Sequence, residues 1–300
     1  MGRTEPEEIF ARAGVRGWSH VRCIECGAET GWRADELVVL SSVVKVPLVL
    51  ELARQIAAGQ LDPADRVRAS AADRLGGPGT SGCRDDVEYS LRDAAWLALT
   101  VSDNTAADLL FDRVGLDNVR ALTNELGLSR TRIVGALRDL LASMAEDMGV
   151  ADAAEFARRY REMPAEEILG LRILDPRRTS ASTPRDMTRL LELVARHEAA
   201  PPDACAWLLE LMSAQLNHHR IGSAFDDEIA VRGKTGTLPG VRNEIAVVEY
   251  PDGTRYAAAI FTRTTDLAHR LPRVDRAIGA VARAAVESLD HPCRSGITAH

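Results

Sequence analysis

Ser42 and Lys45 stand three residues apart in Ser42-Val-Val-Lys45, at the start of an apolar run with helical patterning. On a helix that spacing puts a hydroxyl and an amine on one face, within reach of each other. A serine hydroxyl is a weak nucleophile until a base takes its proton. A lysine serves as that base only where burial or a nearby cation depresses its pKa. Lys234, in Lys234-Thr235-Gly236-Thr237, is a candidate for the cation, and a helix N-terminus favours negative charge developing beside Ser42. Taken alone, the same pair is also an N-cap serine followed by a solvent-facing lysine. A third string, Ser102-Asp103-Asn104, falls between two helical segments, where a turn exposes side chains and where these residue types also cap helices. Lys234 to Thr237 lies in a strand pattern. A strand edge can offer its backbone to an extended substrate, and Gly236 would let that substrate approach closely.

The three strings, in this order, are the set found in class A β-lactamases and penicillin-binding proteins. The chain resembles that superfamily from about residue 15 to residue 290. The resemblance implies a serine hydrolase with no metal or organic cofactor, acting on a small-molecule acyl substrate that bears a carboxylate. It makes Ser42 the nucleophile, Lys45 its base and Ser102 the proton shuttle to the leaving group, with Lys234 as electrostatic support. Asn104 would bind the substrate's acylamide, and the backbone N–H groups of Ser42 and Thr237 would form an oxyanion hole. Thr235, Thr237 and Lys234, on the strand that includes Gly236, would hold the carboxylate. Arg242 is placed for a second carboxylate contact, or is a surface arginine near a turn.

Class A enzymes also carry a glutamate, in E-x-x-L-N, that holds the water clearing the acyl-enzyme. The nearest string here is Glu166-Glu-Ile-Leu169-Gly170, with glycine in place of the asparagine. Counting back from Ser182-Thr-Pro184 puts Glu166 close to the expected place. Counting forward from Asn104 spans 166 − 104 = 62 residues, longer than the family has, and the usual span ends near Arg138-Asp139. The stretch 140–161 is therefore expected to be an inserted helical segment with Met144, Met148, Phe156 and Tyr160 as its apolar positions. Glu167 and Asp139 are alternatives to Glu166. The arginine–aspartate ion pair of the family's loop has no visible counterpart.

The elements that must position these groups follow from periodicity. Gly17 to Leu40 suggests a β-hairpin broken at Gly27-Ala-Glu-Thr-Gly31. Helical patterns follow over 42–59, 92–100, 105–114, 119–126, 184–195 and 202–213. A two-residue period returns over 229–236, 244–250 and 256–262, and an alanine-rich amphipathic helix covers 274–289. The expected fold is α/β (α+β): an antiparallel sheet built from both chain ends with flanking helices, plus an inserted all-helical lobe. Residues 1–40 and 216–300 would form the first lobe. Residues 41–215 would form the second and carry the S-x-x-K and S-D-N strings.

Composition narrows the functions. The chain has 300 residues, 46% of them hydrophobic, and a net charge of −7. It has no basic run able to track a phosphate backbone, so no nucleic-acid partner is expected. The most apolar stretch, 37–50, is interrupted by Ser41, Ser42 and Lys45, so no membrane span is expected either. The acidic start Met1-Gly-Arg-Thr-Glu-Pro-Glu-Glu lacks an apolar signal core, which suggests a cytoplasmic protein unless a leader was removed. Cys23-Ile-Glu-Cys26 has no second pair at metal-ligand spacing, and on a strand its two thiols would point to opposite faces. The first functional reading is a hydrolase opening a β-lactam or related amide through acyl-Ser42. The alternatives are a cytoplasmic esterase, amidase or acyl-transfer enzyme with the same machinery, and a catalytically silent ligand-binding homologue.

Overall fold

The computed structural model describes residues 5–289. Two strands from the start of the chain, β1 (Arg16–Cys23) and β2 (Glu29–Trp32), join three from its end, β7 (Ala230–Leu238), β8 (Val241–Glu249) and β9 (Arg255–Arg263). They form one antiparallel sheet in the order β2-β1-β9-β8-β7. The chain ends are stitched together where β1 pairs with β9, from Arg16 opposite Arg263 to Cys23 opposite Tyr256. Two short ladders lie outside this sheet: β3 (Val38–Val39) with β6 (Ala181–Ser182), and β4 (Arg66–Ala69) with β5 (Val87–Ser90).

Both faces of the sheet are covered. α1 (Pro6–Ala13) and α11 (Pro272–Ser288) lie on one face. On the other pack α9 (Pro184–Ala195) and α10 (Pro202–Ser213), with α2 (Lys45–Ala57), α3 (Leu91–Thr100), α4 (Asn104–Val114) and α5 (Leu116–Glu125) beyond them. Alternation along β8 divides the two cores. Ile245 and Val247 join the helical lobe, whereas Ala246 and Val248 join the α11 side. α2 is buried along most of its length, with Leu48, Leu50 and Leu52 fully buried, as suits a helix at the centre of its lobe. The arrangement matches the expected α/β class. Among the described residues no helix is long and apolar enough to cross a membrane.

Several local expectations are corrected. α1 carries no site motif and was not foreseen. The β1–β2 turn occupies residues 24–28, so Gly31 lies within β2, where a Cβ would sit 2.8 Å from the Ser19 carbonyl. β1 ends at Cys23 and the chain folds back, with Gly27 N–H donating to the Cys23 carbonyl at 2.9 Å. The Cys26 thiol thereby reaches the Cys23 thiol instead of pointing to the opposite face, and burial pushes Cys23 up to about 12. Cys293 lies outside the described residues.

The long span after Asn104 is helical, as α6 (Leu137–Met148), α7 (Ala153–Glu162) and α8 (Ala165–Gly170). Met144 and Met148 pack with Ile168, Leu171, Leu174 and Val241 in a third apolar cluster, with Phe156 and Tyr160 against its edge. Two arginines pin this unit through ion pairs. Arg138 bonds Asp108 on α4, and Arg172 Nε donates to Asp147 at 2.6 Å. The second supplies an arginine–aspartate tie for the loop, drawn from the inserted helix itself.

Candidate active site

Ser42 lies in a 3₁₀ turn, Ser41–Val44, that runs directly into α2. Residues i and i+3 eclipse in a 3₁₀ helix, so Ser42 and Lys45 still share a face. The turn packs on β7, and Ser41 has a left-handed backbone (φ +52°) that a non-glycine residue adopts only when its surroundings hold it. One such contact is the Ser41 hydroxyl, which donates to the Thr237 carbonyl at 3.0 Å.

Lys45 is completely buried, and its amine does not go to Ser42. It donates to the Ser102 carbonyl (2.6 Å), to Asn104 Oδ1 (2.8 Å) and, at 3.3 Å, to the Ser102 hydroxyl. Lys234, equally buried, donates to that hydroxyl and to the Thr235 carbonyl, both at 3.0 Å. Burial, and then the charge of Lys234, hold the Lys45 amine well below the ordinary lysine range, with Asp103 opposing. Burial and then Arg220 bring Lys234 down to about 7, with Glu244 opposing.

Ser102, at φ +64°, is a second left-handed residue, in the turn between α3 and α4. Asp103 braces that turn. Its Oδ1 caps α4 at the Ala106 N–H (3.0 Å), while Oδ2 accepts from the N–H and hydroxyl of Thr80, both at 2.6 Å.

β7 is an edge strand, so its alternate N–H and C=O groups face outward. The Thr235 N–H goes to Gln215 Oε1 (2.7 Å), the Thr235 carbonyl to Lys234, and the Thr237 carbonyl to Ser41. The strand's two-residue repeat turns the Thr237 N–H to the same side, and among the described residues it has no outward partner. An unclaimed donor beside the serine is what an oxyanion hole requires.

Three further expected site residues have the following surroundings. A Cβ on Gly236 would lie 2.8 Å from the Leu40 carbonyl oxygen, so its bare Cα admits the serine turn. Arg242 spends its guanidinium on the carbonyls of Leu238, Val241, Ala268 and His269. Glu166 is exposed on α8, two positions and so about 200° from the buried Ile168. Neither it nor Glu167 has a hydrogen-bond or ion-pair partner among the described residues. Asp139 is occupied in capping α6, accepting from the Ala136 N–H at 2.9 Å.

Arg220 was missed. It is buried under β7 and donates to the Gly236 and Asn243 carbonyls (2.9 and 2.5 Å) and the Thr237 hydroxyl (2.8 Å), with Asp275 on its Nε. Its position in a polar loop before β7 carried no motif, and carbonyl partners leave no trace in side-chain patterns.

A model of the beta-lactamase enzyme family matches residues 3–289. The chain is 30% identical, over 93% of its length and 94% of the relative's, to the beta-lactamase regulatory protein BlaB of Streptomyces cacaoi. Among solved structures it is similar to a beta-lactamase from Sphaerobacter thermophilus, at 26% identity and TM-score 0.75, covering 96% of this chain and 97% of that one. It also shares the fold of an ancestral class A beta-lactamase (22% identity, TM-score 0.75, 94% and 98% covered). A fold, a motif order and a family match that all extend along the chain agree, and the protein belongs to the beta-lactamase enzyme family.

Proposed function

We propose that a β-lactam, or a related strained amide bearing a carboxylate, acylates Ser42. The observation that carries this reading is the buried contact of Lys45 and Lys234 with one hydroxyl, that of Ser102, beside the serine turn. In the proposed reaction Ser42 Oγ attacks the lactam carbonyl carbon and its proton passes to the Lys45 amine. The N–H groups of Ser42 and Thr237 receive the oxyanion. Collapse breaks the C–N bond while Ser102 gives its proton to the departing nitrogen and takes one back from the lysines. Lys234, Thr235 and Thr237, with the Arg220 charge beneath them, hold the carboxylate, and Asn104 meets the acylamide.

Two outcomes for the acyl-enzyme are possible, and the placement of Glu166 bears on them. Glu166, the motif's candidate for activating water at Ser42, is exposed and has no hydrogen-bond or ion-pair partner among the described residues to hold it in place, which favours a long-lived adduct. The name of the Streptomyces relative, a regulatory protein, is in keeping with a β-lactam receptor.

Intact-protein mass followed over time with benzylpenicillin, alongside Ser42→Ala, tests both. An adduct on the wild type alone supports acylation at Ser42. If it persists, the protein is a trap; if it clears with loss of penicillin, it is a hydrolase. Intact penicillin and no adduct would overturn the proposal.

A further inference from the structure

We infer that a cavity behind the segment 169–177 is a second ligand site, which takes a small amphipathic anion: a carboxylate or sulfonate on an aromatic or alkyl body. The cavity holds about 850 Å³, a volume suited to one such molecule. Its walls are the segments 35–39 and 169–177 and the neighbouring ends of β8 and β9. None of Ser42, Lys45, Ser102 or Lys234 lines it.

The lining divides by chemistry. Trp18, Val38, Leu174 and Phe261 give an apolar interior. Two lining acids are already neutralised. Glu36 accepts from the Trp18 indole (2.7 Å) and from Arg16 (2.8 Å), and Asp35 accepts from Arg185 (2.8 Å).

Of the lining cations, Arg16 is matched by Glu36, and three others are not matched in the same way. Arg130 and Arg177 stand exposed at the cavity with no ion pair among the described residues. Arg263 is half-buried, and among the described residues its guanidinium bonds the carbonyls of Leu169 and Leu174. Asp175, whose Oδ1 accepts from the Arg177 backbone N–H at 2.9 Å, and Asp35, which feels the charge of Arg130 but is itself bonded by Arg185, are the lining acids that oppose these three arginines. An apolar interior under incompletely compensated guanidinium groups selects for an anion with a hydrophobic body. A neutral ligand of the same shape gains only the burial.

The probe is 8-anilinonaphthalene-1-sulfonate, an aromatic sulfonate that accepts energy from tryptophan and brightens in a dry site. Isothermal titration of the full chain gives stoichiometry and affinity. One equivalent is expected to bind, with affinity within twofold in Ser42→Ala and in protein acylated at Ser42. Arg130→Glu with Arg177→Glu, both exposed changes, is expected to weaken binding at least tenfold, while Lys at both positions retains most of it. Val38→Trp, which fills the cavity, is expected to abolish binding, with a melting curve as the check on folding. The uncharged analogue N-phenyl-1-naphthylamine is expected to bind at least tenfold more weakly. Absence of saturable binding, loss of binding on acylation of Ser42, or indifference to the charge reversals would each overturn the proposal.

Discussion

Lys45 and Lys234 bring two amines to one hydroxyl, and neither has a carboxylate in direct contact among the described residues. Their pKa values are therefore lowered first by burial and then by a neighbouring cation, Lys234 for Lys45 and Arg220 for Lys234. With Lys234 held at about 7, its charge is present below that pH and lost above it. Acylation by an anionic β-lactam should accordingly fall as pH rises through about 7, measured as the rate of adduct formation from roughly pH 6 to 9. Lys234→Arg stays charged throughout and should lack that limb, whatever its rate at the acid end. Ser42, Lys45, Ser102 and Lys234 were legible because their types and order are unusual together. That the amine reaches Ser102 and Asn104 was not, since a three-residue spacing fixes a face but not a rotamer. Glu166 shows the same limit: counting along a chain finds a position, whereas which side of α8 it occupies depends on where Ile168 is buried.

The elements meet most tightly where the 3₁₀ turn of Ser41–Val44 lies on β7. The left-handed Ser41 and the bare Cα of Gly236 are two halves of one close approach. Gly236→Ala places a methyl against the Leu40 carbonyl, a backbone atom that cannot swing aside. We expect about 1–3 kcal/mol of lost stability by denaturant titration. Displacing Ser42 should also slow acylation by roughly tenfold or more. At this scale periodicity located the strands and most helices, because β8 and β9 alternate between two cores and α9 and α10 present apolar faces. It did not foresee α1, nor the tight turn that moved Cys26 back onto Cys23. α1 is fixed by packing on α11, a segment distant in the chain, and the turn by a backbone bond from the Gly27 N–H to the Cys23 carbonyl, neither of which side-chain periodicity reports.

In the whole molecule, His20 joins the sheet to the helical lobe. From β1 its Nδ1 meets the Thr188 hydroxyl of α9 at 2.5 Å, and its Nε2 meets Arg185 at 3.1 Å. Burial first, and then Arg185, lower it to about 4 from 6.5, with Glu29 and Asp35 opposing. The unfolded chain takes up this proton below pH 6.5 while the folded chain resists until about 4. Acidification across that window should therefore favour unfolding, by an amount on the order of 3 kcal/mol. His20→Gln should flatten that part of the stability–pH curve in urea titrations. The β7 edge has a further consequence at this scale. An open strand edge is a template on which other chains can pair and aggregate. Around the site, Gln215, Lys234 and Ser41 occupy three of the four outward groups of Thr235 and Thr237, leaving a single amide unclaimed. One free donor is enough to grip a carbonyl oxygen and too few to seat a neighbour's strand, so the opening that could admit a ligand does not promote self-association there.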